Sequence, residues 1–600
     1  MSVAWLTLWP GLTHAQPAEP EIEAARTAWH KELQRLEQVC LSLKLTDEAR
    51  LTNAWLPRSP GNGELLYLPF SLPAVKANNA SQAKWAAYFQ AARSKYAQAL
   101  FEEAHRLAQS GDEAAAFRML WHVLREDEQH SEAKRVLGTL ATAATVRPRL
   151  RKGTTTHPTY GWPAGSYSRI ETPHFLLTTR GTPQQSVELA QWMERYYALW
   201  RQVFYPLWAT PGALVNKLEG RNTPWEKSHQ LSVLLLKDRD EYLQVLGVVE
   251  KNAAVSVGYY APQTKTSFFY LAENYEATVA HELTHQLFAE ATKIDARAEA
   301  GNLAGVWLIE GIALYMESLT DRDTYWTLGG IDALRLQTAR YRAVRDGYWA
   351  DWPGFTRGTV ESWKQDPQIA LLYTQATGLT HLFMERLPQP MGREALLQCL
   401  IGVYQQQADF DPLLRMLGGD FGGDQAAAKI AYQQALTLAD ADVQALTRAQ
   451  HPCQDLVLAG SQLTPASWQE LSTVAAGLEW LDVSFSNARS ADLAWLPQAT
   501  QLRRLSVEGT GCDAALVSTL RQLPELQELD LSGCPIDDAA LKALVRHPGL
   551  VTLWLSHTQV TEAVLDTLAT LPKLQYCYVD GSKIPAAAWE RFAREHLKGN

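Results

Sequence analysis

Leucine returns every 24 residues near the end of the chain, at Leu478, Leu502, Leu526, Leu550 and Leu574. A fixed period of that length admits few folds. Each unit is one supersecondary element, and its apolar face is covered only by the next copy. Each of these leucines opens an L-x-x-L-x-L pattern. The fourth positions are Leu481, Leu505, Leu529, Leu553 and Cys577, and the sixth are Val483, Val507, Leu531, Leu555 and Val579. The eleventh positions, Ala488, Cys512, Ile536, Val560 and Ile584, are also small or apolar. A helical second half follows, with Leu496, Leu520, Leu544, Leu568 and Phe592 in register.

This pattern resembles the leucine-rich repeat family, which implies an α/β solenoid over residues 454–600. The resemblance also implies a buried hydrogen-bonding side chain at the ninth position, here Ser486, Thr510, Cys534, Thr558 and Ser582. Gln454–Gly477 is read as a degenerate capping repeat. Cys512, Cys534 and Cys577 fall on inward positions, which favours packing over disulfides. The remaining cysteines, Cys40, Cys399 and Cys453, are scattered and no CxxC occurs, so no disulfide framework is expected.

The chemistry is concentrated elsewhere, in His281-Glu282-Leu283-Thr284-His285. Two histidines four apart on a helix project about 40° apart, from one face. That spacing grips a zinc ion, and the intervening glutamate reaches a water on the metal as general base. With 15 His in 600 residues, an HExxH arises by chance in roughly one such chain in fifty. The apolar flanks Thr278-Val279-Ala280 and Gln286-Leu287-Phe288 suit a helix. A catalytic zinc needs a third protein ligand and an open position. Glu310, 25 residues after His285, is the candidate.

HELTHQLF followed by Trp307-Leu308-Ile309-Glu310-Gly311-Ile312-Ala313-Leu314-Tyr315 resembles the gluzincin metallopeptidases, most of all the peptidase-MA-like bacterial domains. Over residues 165–450 the resemblance implies an α+β zinc peptidase domain. His281, His285 and Glu310 would be its ligands and Glu282 its base. It also implies a tyrosine that steadies the oxyanion, matched here by Tyr373. The metzincin extension is absent, since Phe288 and Ala291 stand where that class has Gly and its third His. Also absent is the Gly-x-Met-Glu-Asn segment through which the aminopeptidase branch reads the substrate's amino terminus. Its nearest echo, Leu271-Ala272-Glu273-Asn274, lacks the Gly and Met, and Glu273 is read as a turn residue. Glu317 projects on nearly the face of Glu310, where it could orient a ligand, but is read as a solvated helix-end residue. His381 is read as a satisfied helix histidine.

Residues 16–145 read as helical, with Trp29, Leu33, Leu36, Cys40 and Leu43 on one stripe. Leu107-Ala108, Gly111, Ala115, Leu120, Leu124 and Leu137-Gly138 resemble a tetratricopeptide-type hairpin, either a cap on the next domain or a binding module. Residues 146–164 read as a linker, and its basic run Arg147–Lys152 as a solvated connector. His174–Thr179, Leu231–Leu236 and Ser267–Leu271 read as strands, the last as the sheet edge beside the HExxH helix. Residues 1–15, with an apolar run ending in Thr13-His14-Ala15, read as a signal peptide, which implies a secreted or periplasmic protein. No run reaches the length of a membrane helix. A formal charge of −10 argues against a nucleic-acid surface.

The expected protein is thus a multidomain α+β chain: an N-terminal α-helical region, a gluzincin-type peptidase domain and a C-terminal α/β leucine-rich-repeat solenoid. The expected activity is a zinc-dependent endopeptidase with one catalytic Zn2+. Its partners would be a polypeptide substrate and a protein on the repeats. A non-catalytic scaffold and a zinc hydrolase of non-peptide bonds are the alternatives.

Overall fold

The computed structural model describes residues 20–56, 62–71, 79–221, 223, 225, 230–247, 257–272, 275–292, 304–419 and 425–598. The expected signal peptide and the Glu273-Asn274 pair lie outside the described residues. The chain is a mixture of helix and sheet in several units.

The N-terminal apolar stripes form helices at Pro20–Ser42, Thr46–Ala54, Ala80–Gln109, Glu113–Glu126 and Ser131–Leu137. The third and fourth, Ala80–Gln109 and Glu113–Glu126, make a hairpin. Gly111 takes the left-handed conformation at its turn (φ +96°), and Asp112 caps the second helix through Ala115 N–H at 2.9 Å. Among the described residues this region has no core of its own. One continuous core joins Trp29, Trp55, Phe117 and Trp121 to Trp200, Phe288, Trp307 and Tyr432, so the hairpin is a cap on the domain that follows. Strand pairing reinforces this. Strand β1 (Glu64–Leu66) pairs with β9 (Trp326–Leu328), which also pairs with β8 (Thr320–Asp321).

The central sheet has the order β2-β3-β4-β5-β7-β6. Its strands are β2 (Leu150–Lys152), β3 (Ser168–Glu171), β4 (Phe175–Thr179), β5 (Leu231–Leu236), β6 (Gly258–Ala261) and β7 (Thr266–Tyr270). Only β4–β5 and β5–β7 are parallel. Helix Pro183–Val203 and helix Tyr275–Ala291 cover one face, and helix Arg239–Leu246 covers the other, with Trp162, Tyr167 and Phe268. Two expectations are corrected here. Residues 146–164 are not simply a linker: Leu150–Lys152 closes one side of the sheet and Trp162 is buried. Arg151 and Lys152 are exposed on this edge strand, where charge discourages further pairing. At the other side the edge is β6, not β7, because Gly258–Ala261 returns antiparallel outside it.

The 24-residue repeat appears as a separate all-parallel sheet: β10 (Asp455–Val457), β11 (Trp480–Asp482), β12 (Arg504–Ser506), β13 (Glu528–Asp530), β14 (Thr552–Trp554) and β15 (Tyr576–Tyr578). Leu456, Leu481, Leu505, Leu529, Leu553 and Cys577 stand in register, all fully buried. Gln454–Gly477 therefore supplies a full strand. At the ninth positions, Thr510 and Thr558 hydroxyls donate to Val507 and Leu555 carbonyls at 2.6 Å. Cys512, Cys534 and Cys577 are buried free thiols. Among the described residues no helix is long and apolar enough to cross a membrane.

Candidate metal centre

Helix Tyr275–Ala291 turns Val279, Leu283 and Leu287 into the core, which leaves His281, Glu282 and His285 on its half-exposed side. Buried polar groups fix its position. Tyr196 Oη lies 2.9 Å from Ala280 O and 2.6 Å from Thr284 Oγ1. Gln286 donates to Ser232 O at 3.1 Å and Lys265 O at 3.0 Å, and accepts from Ser267 Oγ at 2.9 Å. A buried amide so fully bonded holds the helix against β5 and β7 in one register.

Helix Val306–Met316 comes back alongside. Its own neighbour, helix Ile369–His381, approaches so closely that a Cβ on Gly311 would stand 2.3 Å from Thr380 Oγ1 and 2.9 Å from Ala376 O. The glycine after Glu310 is what permits that approach. Glu310 consequently sits over the histidine pair, with Oε2 3.3 Å from His281 Nε2 and Oε1 3.8 Å from His285 Nε2. The three ligand atoms all lie within 4.8 Å of one another, the one such group among the described residues. Atoms sharing a tetrahedral zinc at ordinary bond lengths stand about 3.3 Å apart. Two imidazoles and a carboxylate at these separations fit a zinc-sized divalent cation.

Charge within the cluster is strongly coupled. Burial would lower His281, but Glu310 and Glu317 raise it well above the ordinary range. Burial pushes His285 down to about 4, leaving a neutral ring with a lone pair to give. Burial would raise Glu310, yet His285 and His281 hold it below the usual carboxylate range. Burial raises Glu282 to about 7. A divalent cation beside it would favour its ionised form and bring that value down. Glu282 Oε2 accepts the Tyr260 N–H at 2.7 Å, so the outer side of β6 faces this carboxylate. Tyr373 lies against Glu310, whose charge, with burial, raises the phenol above its ordinary value.

Two sequence expectations fail here. Glu317 is not solvated: its side chain is 10% exposed, and it accepts from His281 Nδ1 at 2.9 Å and from Arg335 Nε at 2.8 Å. It thereby fixes the ring that presents Nε2 to Glu310. We expect Glu317→Ala to fold and to bind zinc about 10–100-fold more weakly. Competition with a chelating dye measures this, and unchanged affinity would remove Glu317 from the site. His381 is buried but not satisfied. Its Nδ1 stands 3.5 Å from Glu385 Oε2 without a hydrogen bond, and burial beside Arg340 and Arg386 keeps it neutral. Nothing in the residue pattern marks the Tyr260 amide, and Gln286 stands out only as a polar residue beginning an otherwise apolar flank.

No family model matches the chain, and no curated protein matches it. Among solved structures, an internalin from Listeria monocytogenes is similar at 16% identity and a TM-score of 0.22. That match covers 26% of this chain and 49% of the internalin, so the chain spans about half that length.

Proposed function

We propose that this chain is a zinc-dependent peptidase, an endopeptidase of gluzincin type joined to a leucine-rich-repeat solenoid. The observation that carries the proposal is the pairing of a three-ligand cluster with Glu282, a carboxylate that a purely structural metal site would not need. His281, His285 and Glu310 would hold the ion. Zinc, when bound, acidifies a water and polarises a carbonyl. Glu282, ionised, takes a proton from the attacking water and passes it to the leaving amine. The Tyr260 amide steadies Glu282 while it is charged. Tyr373, its hydroxyl kept protonated, donates to the developing oxyanion. β6 offers an outer edge on which an extended substrate adds as a strand, a mode that tolerates many substrate sequences.

Elemental analysis of the purified full chain tests this without knowledge of the substrate. About one zinc per chain is expected, as a catalytic site of this kind holds, and Glu310→Ala should lose it. Casein digestion should stop on chelation and return with zinc. A folded wild type that takes up no zinc when zinc is supplied would overturn the proposal.

A further inference from the structure

One helix touches both the metal centre and the repeat sheet. Leu334–Arg340 runs straight on into a wider turn, Tyr341–Arg345. Leu336 and Ala339 are buried in the core that also holds Leu283 of the HExxH helix. On another side, Arg335, Thr338, Arg342 and Arg345 follow one another at three- and four-residue steps and so share a face. All four line a cavity of about 1100 Å3, whose far wall is the exposed face of the repeat sheet. Glu317 lies on the near wall.

At the start of this helix, Arg335 Nε donates to Glu317 Oε2 at 2.8 Å. The other oxygen of Glu317 accepts from His281 Nδ1 at 2.9 Å. Donors on both oxygens fix the plane of the carboxylate, and with it the ring that turns Nε2 towards Glu310. Arg335 is 60% exposed, and an ion pair so open adds little to stability. Its place is to orient Glu317, not to hold the fold. At the far end of the helix, roughly 15 Å along the axis, Arg345 is clamped. Its Nη2 stands 2.5 Å from Glu508, just past β12, and 3.3 Å from Asp530 on β13, while Nη1 stands 2.9 Å from Asp346. Glu508 feels the charge of Asp530, so the guanidinium also separates two carboxylates that repel. Between the two ends, the Tyr341 ring meets Trp480 at 5.4 Å and Gln337 Oε1 accepts the Val457 N–H at 3.0 Å. The repeat sheet therefore grips the helix that carries Arg335.

We propose that Arg335 is a positioning residue for the metal ligand His281, acting through Glu317, and that the repeat sheet holds Arg335 in place by clamping Arg345. The repeats are then part of what tunes the metal site, and displacing Arg345 from its carboxylates loosens the ion. This rests on the reading of the cluster as a zinc centre and not on the identity of the substrate.

The test is a double-mutant cycle read as zinc affinity. The full chain, stripped by chelation, is titrated with zinc against a chelating dye, and circular dichroism checks the fold. Arg335→Ala and Arg345→Ala should each weaken zinc binding by about 2- to 30-fold, the span for substitutions along such a chain of contacts. Arg335→Lys, which keeps a cation beside Glu317, should restore most of the loss. Arg345→Ala should cost nothing further in the Arg335→Ala background, because its effect passes through Arg335. General loosening of the fold would instead add to the first loss. Should Arg345→Ala not fold, Glu508→Gln removes its shortest contact at a half-buried position and gives the same reading. Zinc affinity unchanged in the folded Arg345 or Glu508 variant would overturn the proposal, since packing of Leu336 and Ala339 would then suffice to place the helix. Simply additive losses would overturn it as well. A folded wild type that binds no zinc removes the metal centre itself, and this inference with it.

Discussion

Glu282→Gln is expected to leave zinc content and folding intact while lowering peptide hydrolysis by about a thousandfold or more. The size follows from what the carboxylate does. A positioned general base contributes about 10²–10⁴-fold, and in the proposed mechanism one group serves twice, removing the water proton and protonating the leaving amine. Glutamine matches the shape of glutamate and keeps an oxygen to accept the Tyr260 N–H, now 2.7 Å from Oε2, so the local packing should survive. It lacks a basic lone pair on a charged group, so the chemistry should not. The informative outcome is the split. Retained zinc with lost casein digestion places Glu282 in the reaction. Retained digestion would show that Glu282 is dispensable and that the cluster acts otherwise. Loss of both zinc and fold would point to a structural site.

How much of this was legible in the residues differs from element to element, for physical reasons. The repeat sheet was legible because its period is enforced by contacts between adjacent copies, and the register Leu481↔Leu505↔Leu529 restates the spacing of the sequence. The histidine pair was legible because helical spacing fixes which side chains share a face, and Glu310, on the face of a second helix, through the motif around it. Glu317 shared that face too, but its burial depends on Arg335, on an element whose placement no local pattern gives. The sheet edge was misassigned for a similar reason. Both Thr266–Tyr270 and Gly258–Ala261 are short apolar strands, and which one lies outside is decided by the order of pairing. Tyr260 contributes through its backbone amide, which every residue but proline has. The helical hairpin was recognisable, while its role as a cap was not, since its apolar faces are the same whether they meet another repeat or Tyr205 and Trp208.

That cap carries the second large expectation. Glu126→Gln should cost about 3–5 kcal/mol, the range for breaking a buried charge network by removing one partner. Glu126 is fully buried, accepts from Trp55 Nε1 at 2.8 Å, and stands 2.5 Å from Arg125 Nη1 and 3.7 Å from Arg93 Nε. Both guanidinium groups are buried and lie over the Trp55 ring at 4.3 and 4.4 Å, so they cannot turn to water. Arg125 also donates to Thr324 O at 2.9 Å, which couples the network to the turn between β8 and β9. The sign with pH follows. Burial would raise the Glu126 carboxyl, but Arg125, His122 and Arg93 hold it at about 2 against an ordinary 4.5. A lowered folded pKa means stability that is fully present above pH 4.5 and is lost as pH falls through 2. Hydrogen exchange in the helix Glu113–Glu126 reads this locally, whether or not the whole chain unfolds in one step. Wild type should lose protection between pH 4.5 and 2, and the glutamine variant should be weakly protected throughout with a flatter acid dependence. A variant within about 1 kcal/mol of wild type, the scale of an exposed ion pair, would mean that the arginines find other partners and that apolar packing alone holds the cap in place.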